Sequence, residues 1–188
     1  MAGTRPLTSE EISQVLKHLD TIRDKTMFIL GIKTGFRIQE LLSIKVDDVM
    51  KHGTIVDVVR VKRRFTKGKV ISRDVALSQS AKDAIKNLID SENLKPSNYL
   101  FKSRKGDNKP IERGQAWTIL DNAYRKARLQ GSLGCHSMRK TFAKNVYQAL
   151  SFDLVKTKIA LGHRSINSTI SYLPVSEEEV QQVVKSIE

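Results

Sequence analysis

The apolar residues of this chain repeat at helical spacing at both ends, and β-branched residues take over only between Thr54 and Leu77. That restriction predicts a mainly α chain of α+β class with one small antiparallel sheet. Thr8-Ser9-Glu10-Glu11 has the spacing of a capping box, in which a hydroxyl and a glutamate three residues on satisfy each other's backbone N–H groups. Ile12, Val15, Leu16 and Leu19 then recur at the i, i+3, i+4, i+7 positions of one helix face. A second apolar segment through Met27, Phe28 and Leu30 stops at Gly35, and a third helix carries Ile38, Leu41 and Leu42 inward. Arg37 stands at the start of that helix, with its side chain free to point elsewhere. Thr54 to Val61 and Val70 to Leu77 read as two strands, and the basic, glycine-containing stretch between them as a hairpin connection. Tyr99 to Lys102 is a candidate third short strand. Ala84, Ile85, Leu88 and Ile89 restore the helical period, and from about Arg113 onward the chain is helical apart from short turns.

With 188 residues and 39% hydrophobic content, the chain is expected to form one domain over residues 1–188 with its own core. Lys and Arg total 33 against 20 Asp and Glu, a net charge of +13 that favours a polyanionic partner over a small neutral substrate. Nucleic acid fits this better than an acidic membrane, because no apolar run approaches the roughly 18 residues a span needs. The N-terminus has no apolar signal-peptide core, and a cytosolic protein is expected. Cys135 is the only cysteine, which rules out an internal disulfide and a cysteine-based zinc site and leaves it the role of a small packing residue.

Near the C-terminus stand Gly134-Cys135-His136-Ser137-Met138-Arg139-Lys140-Thr141, then Leu161-Gly162-His163-Arg164-Ser165, then Tyr172 nine residues after His163. Breaking a phosphodiester requires stabilising the extra charge on the non-bridging oxygens, and guanidinium groups do this with charge-assisted, bidentate hydrogen bonds. Arg37 and Arg139 are the candidates. His136 and Arg139 are three apart on an expected helix and share a face. Tyrosine, with a pKa near 10, attacks phosphorus only beside a base and cations, which His163 and the two arginines would supply. Tyr99, Tyr124 and Tyr147 sit in apolar contexts where packing accounts for them, whereas Tyr172 lies at a segment end before Leu173-Pro174. His18 and His52 lack a matching context and read as solvated. A lysine on the hairpin would suit protonation of a leaving alkoxide. Lys67 and Lys69 both qualify, and Lys62, Arg63, Arg64 and Lys69 fit contacts to a nucleic-acid backbone.

From about Thr8 to Tyr172 these separated motifs resemble, in family order, the catalytic domain of the tyrosine recombinases, the phage integrase family. The resemblance implies that Arg37 is the first catalytic arginine with Glu40 buttressing it, that His136 and Arg139 form the His-x-x-Arg box, that His163 is the later histidine, and that Tyr172 is the nucleophile. It implies Lys67 as general acid on the 5′-hydroxyl leaving group, with Lys69 open. The activity implied is site-specific cleavage and rejoining of double-stranded DNA through a 3′-phosphotyrosyl link, in a prokaryotic cell or encoded by a phage. No metal, nucleotide triphosphate or other cofactor is implied, and the resemblance implies a complete reaction by four protomers around two duplexes. A catalytically silent DNA-binding regulator of the same fold, or a type IB topoisomerase-like relaxing activity, would share the pattern. Most family members carry an additional N-terminal helical domain, which the sequence is expected to lack. After Tyr172, Val180, Val183, Val184 and Ile187 form an apolar stripe on a helix over about 176–187, which docks either on its own core or, by resemblance, on a neighbouring protomer.

Overall fold

The backbone N–H of Glu11 donates to Thr8 Oγ1 at 3.2 Å while that of Thr8 donates to Glu11 Oε2 at 2.9 Å, so the first helix begins at the expected capping box. The structure is a computed structural model that describes residues 3–61, 73–173, 181, 182 and 184–187. The chain divides into two compact units, Met1–Phe142 and Ala143–Glu188. Its elements in chain order are α1 (Ser9–Lys17), α2 (Ile22–Thr34), α3 (Ile38–Leu42), α4 (Val46–Val49), β1 (Met50–Lys51), β2 (Thr54–Ile55), β3 (Val58–Val61), β4 (Arg73–Ala76), α5 (Gln79–Ser91), α6 (Arg113–Lys126), α7 (Cys135–Ala149), α8 (Leu154–Leu161) and α9 (Asn167–Ile170).

The core of the first unit is built around α2, whose Met27, Phe28 and Leu30 are fully buried. Because α2 is buried on several faces, its neighbours can approach only where its side chains are small. Gly31 supplies that space on one side: a Cβ there would overlap Met138 Sδ of α7. On another side Thr26 Oγ1 donates to the Ala84 carbonyl of α5 at 3.2 Å. The N-terminal segment ties α1 to the loop before α7. The Arg5 Nε donates to the Gln130 carbonyl at 2.8 Å and its Nη1 to Glu11 Oε2 at 2.8 Å. Two residues on, the Leu7 N–H donates to the buried Thr141 Oγ1 at 2.9 Å. These contacts set the height of α7 against α2 and thereby the position of the His-x-x-Arg face.

Among the described residues, the antiparallel component is divided into two ribbons rather than forming one sheet. β1 pairs with β2 through Met50↔Ile55, and β3 pairs with β4 from Val58↔Ala76 to Val61↔Arg73. The cause is local: His52 and Gly53 adopt φ of 50° and 78°, which turns Thr54–Ile55 back onto β1 before the chain enters β3. The expected third strand at Tyr99–Lys102 is present only as isolated bridges, Tyr99 to Lys45 and Lys102 to Pro110. Leu100 and Phe101 are both fully buried, so the segment lacks the alternation of a ladder strand, and Pro110 has no N–H with which to extend one.

In the second unit, Asp153 caps α8 by accepting the Lys156 N–H at 2.9 Å, and Gly162 closes the helix in the left-handed region at φ 62°. Tyr147 and Phe152 meet edge to face at 5.3 Å between ring centroids. Val184 and Ile187 of the expected C-terminal stripe are exposed, while Val180 and Val183 lie outside the described residues. Among the described residues, no helix is long and apolar enough to cross a membrane.

Candidate phosphoryl-transfer site

Gly35 ends α2 at φ 60°, and two residues later Arg37 caps α3 in an extended conformation. The sharp corner between the two helices brings Arg37 to the protein surface with its side chain 24% exposed, while Glu40, one turn on, is driven into the interior with none. The Glu40 carboxylate accepts the Arg37 N–H at 2.8 Å through Oε2 and the Arg37 guanidinium at 2.9 Å through Oε1. Burial pushes the Glu40 pKa up, but the charge of Arg73, then the Arg37 backbone N–H bond, charge and guanidinium bond outweigh it and hold the carboxyl below its ordinary value.

Arg139 reaches the same corner from α7. It is the largest fully buried side chain described, and its Nη1 donates to the Gly35 carbonyl, an acceptor left over at the C-terminus of α2. One turn earlier on α7, His136 is exposed at the surface. Partial loss of hydration, and then the charges of Arg139, Arg113, Arg37 and Lys140, hold its pKa below the ordinary imidazole value. The start of α7 is fixed by Ser137 Oγ, which accepts the Gly134 N–H at 3.2 Å. Arg37, Glu40, His136 and Arg139 are thus gathered within the first unit, in a strongly cationic setting suited to a phosphate.

The second unit holds His163 and Tyr172. His163, 8% exposed, follows the Gly162 cap, and its Nδ1 is hydrogen-bonded to Thr169 Oγ1 at 3.0 Å. Its ring meets that of Tyr172 edge to face at 5.1 Å. Tyr172 is half-buried, in the turn that follows α9. The competing tyrosines are accounted for otherwise. Tyr124 is buried, with its hydroxyl donating to the Gly134 carbonyl at 3.4 Å and burial raising its pKa; Tyr147 packs on Phe152; and Tyr99 lies under the Lys45 ammonium. His52 is exposed and His18 half-buried. Cys135 packs partly against the core, and burial raises its thiol pKa. Lys62, Arg63, Arg64, Lys67 and Lys69 lie outside the described residues.

Sequence reasoning missed Arg73 and Thr169. Arg73 is in phase with the buried Val75 on β4, and a charged residue on the inward face of a strand calls for a buried partner, a signal that was present in the alternation. Thr169 carried no such signal, because its pairing with His163 depends on the turn between α8 and α9.

The phage integrase family matches this chain over residues 5–179. The chain is 32% identical over 184 residues to the probable integrase/recombinase YoeC of Bacillus subtilis (strain 168), covering 96% of the chain and 95% of that relative. To the tyrosine recombinase XerD of Staphylococcus saprophyticus it is 31% identical over 188 residues, covering 92% of the chain but 60% of XerD's own length. Among solved structures, that of the XerA recombinase superposes with a TM-score of 0.77 at 19% identity, over 97% of this chain and 63% of that one, and the fold is shared with it. From the match across nearly its whole length and the likeness to YoeC, the chain belongs to the phage integrase family.

Proposed function

We propose that this protein is a site-specific DNA recombinase that cleaves and rejoins double-stranded DNA through a 3′-phosphotyrosyl intermediate. The observation that carries this reading is the corner between α2 and α3, where Arg37, buttressed by the fully buried Glu40, and Arg139, anchored on the Gly35 carbonyl, are both held rigidly beside His136. Guanidinium groups fixed in this way lose little freedom on meeting a phosphate and stabilise charge as it develops on the non-bridging oxygens. Tyr172 supplies the nucleophile: its oxygen bonds to phosphorus, the bond to the 5′-oxygen breaks, and the tyrosyl proton passes to a neighbouring base. His163, in ring contact with Tyr172, is the group in place to receive it. The departing 5′-oxygen is protonated by Lys67 or Lys69, and Lys62, Arg63 and Arg64 contact the DNA backbone. The net charge of +13 supports a DNA partner, and the reading includes assembly of four protomers on two duplexes. The exposed Val184 and Ile187 support a C-terminal segment that docks on a neighbouring protomer.

The test uses nicked suicide duplexes tiled across the DNA flanking the gene, with covalent protein–DNA adduct read on denaturing gels. An adduct lost in Tyr172→Phe establishes the chemistry. Binding without any adduct favours a DNA-binding regulator of the same fold, and supercoil relaxation without recombinant product favours topoisomerase-like turnover.

A further inference from the structure

The first residue of β4 sends a guanidinium into the corner between α2 and α3. Arg73 Nη2 lies 3.2 Å from Glu40 Oε2 and 3.4 Å from the Gly35 carbonyl oxygen. Its Cζ is 5.5 Å from the centroid of the Phe36 ring, and the side chain is 12% exposed. The Gly35 carbonyl is the acceptor of Arg139, and the other oxygen of Glu40 accepts from Arg37. One side chain therefore touches the anchor of each phosphate-binding arginine.

We propose that Arg73 is a positioning residue for DNA strand cleavage, holding Arg37 in place through Glu40 and Arg139 through the Gly35 carbonyl. The proposal rests on the recombinase reading. Two physical consequences support it. A carboxylate with no solvent exposure stays ionised only when its charge is matched, and Arg73, 3.2 Å from Oε2, matches it beside Arg37. Arg37 and Glu40 alone sum to no net charge, so Arg73 also returns one positive charge to a cluster that must attract a phosphate. Lysine cannot replace it. Both contacts come from Nη2, held between Glu40 and the Gly35 carbonyl while the flat guanidinium lies by the Phe36 ring; a compact, strongly hydrated ammonium on a different stem does not reproduce that placement.

The experiment compares the unaltered 188-residue chain with Arg73→Lys and Arg73→Gln on the nicked duplex that gives adduct, measuring single-turnover adduct formation, DNA affinity and thermal midpoint. Arg73→Lys is expected to remain folded, to bind the duplex as before, and to form adduct about tenfold to a hundredfold more slowly, the cost of a small misplacement of reacting groups. The defect is expected to shrink when the scissile phosphate is replaced by a neutral methylphosphonate, because arginine placement matters most while both non-bridging oxygens carry charge. An Arg73→Lys protein that cleaves at the unaltered rate overturns the proposal. So does a defect of equal size on the methylphosphonate, which marks a purely structural role. If Arg73→Gln does not fold, Arg73→Lys alone decides. Absence of adduct from the unaltered chain on every duplex overturns the recombinase reading and this inference with it, whereas adduct with an indifferent Arg73 overturns the inference alone.

Discussion

Glu40 and Arg37 are joined twice, the carboxylate accepting the Arg37 backbone N–H at 2.8 Å and its guanidinium at 2.9 Å. The first bond caps α3 and the second aims the side chain, so local folding and placement of the proposed phosphate-binding group are one event.

Replacing Glu40 by glutamine keeps the shape but leaves Arg37 and Arg73 against a buried neutral group. Removing one partner of a buried ion pair costs about 3 kcal/mol, to be read from urea unfolding. Because the folded Glu40 pKa is held below its ordinary value, its contribution to stability is complete above that value, near 4.5, and is lost as pH falls through the lower folded value. Glu40→Gln is therefore expected to lose part of the acid sensitivity of the unaltered protein in that window.

Gly35→Ala tests the corner itself. The position has φ 60°, and an added Cβ would overlap the Phe142 ring. Left-handed strain and overpacking together are expected to cost about 2 kcal/mol or more in thermal or urea unfolding. Adduct formation should fall further than stability alone explains, since the carbonyl that holds Arg139 moves with the residue.

Thr169→Val removes the hydroxyl bonded to His163 Nδ1 at 3.0 Å. The stability cost should be about 1 kcal/mol, while loss of the bond that orients the ring should slow adduct formation about tenfold in single-turnover assays. An unaltered rate would show that His163 is held by other contacts.

His136 should titrate below 6.5 in an NMR pH series, chiefly from partial desolvation and then from its cationic neighbours. Arg113→Ala removes one of those charges and is expected to move the pKa back up. The unfolded chain binds the proton more tightly, so the stability contributed by neutral His136 is complete above 6.5 and is lost as pH falls through the lower folded value.

Local chemistry was legible before any coordinates. The Thr8–Glu11 box, the helix stop at Gly35 and the start at Arg37 each depend on residues within one helical turn, and the structure has them where the spacing put them. The mainly helical class followed from hydrophobic period for the same reason. The single sheet did not, because the turn at His52 and Gly53, with positive φ, pairs the start of the β-branched run with Met50–Lys51 ahead of it, and turn geometry of that kind is weakly coded in composition. The pairings Arg73 with Glu40 and Arg139 with Gly35 span 33 and 104 residues. The sequence by itself determined which residues have the charge and nucleophilicity that the proposed chemistry requires, since residue type sets both. Only the tertiary structure decided which carboxylate and which carbonyl hold the arginines, because those partners are chosen by the close packing of α7 and β4 against the end of α2, where a buried charge must find its match.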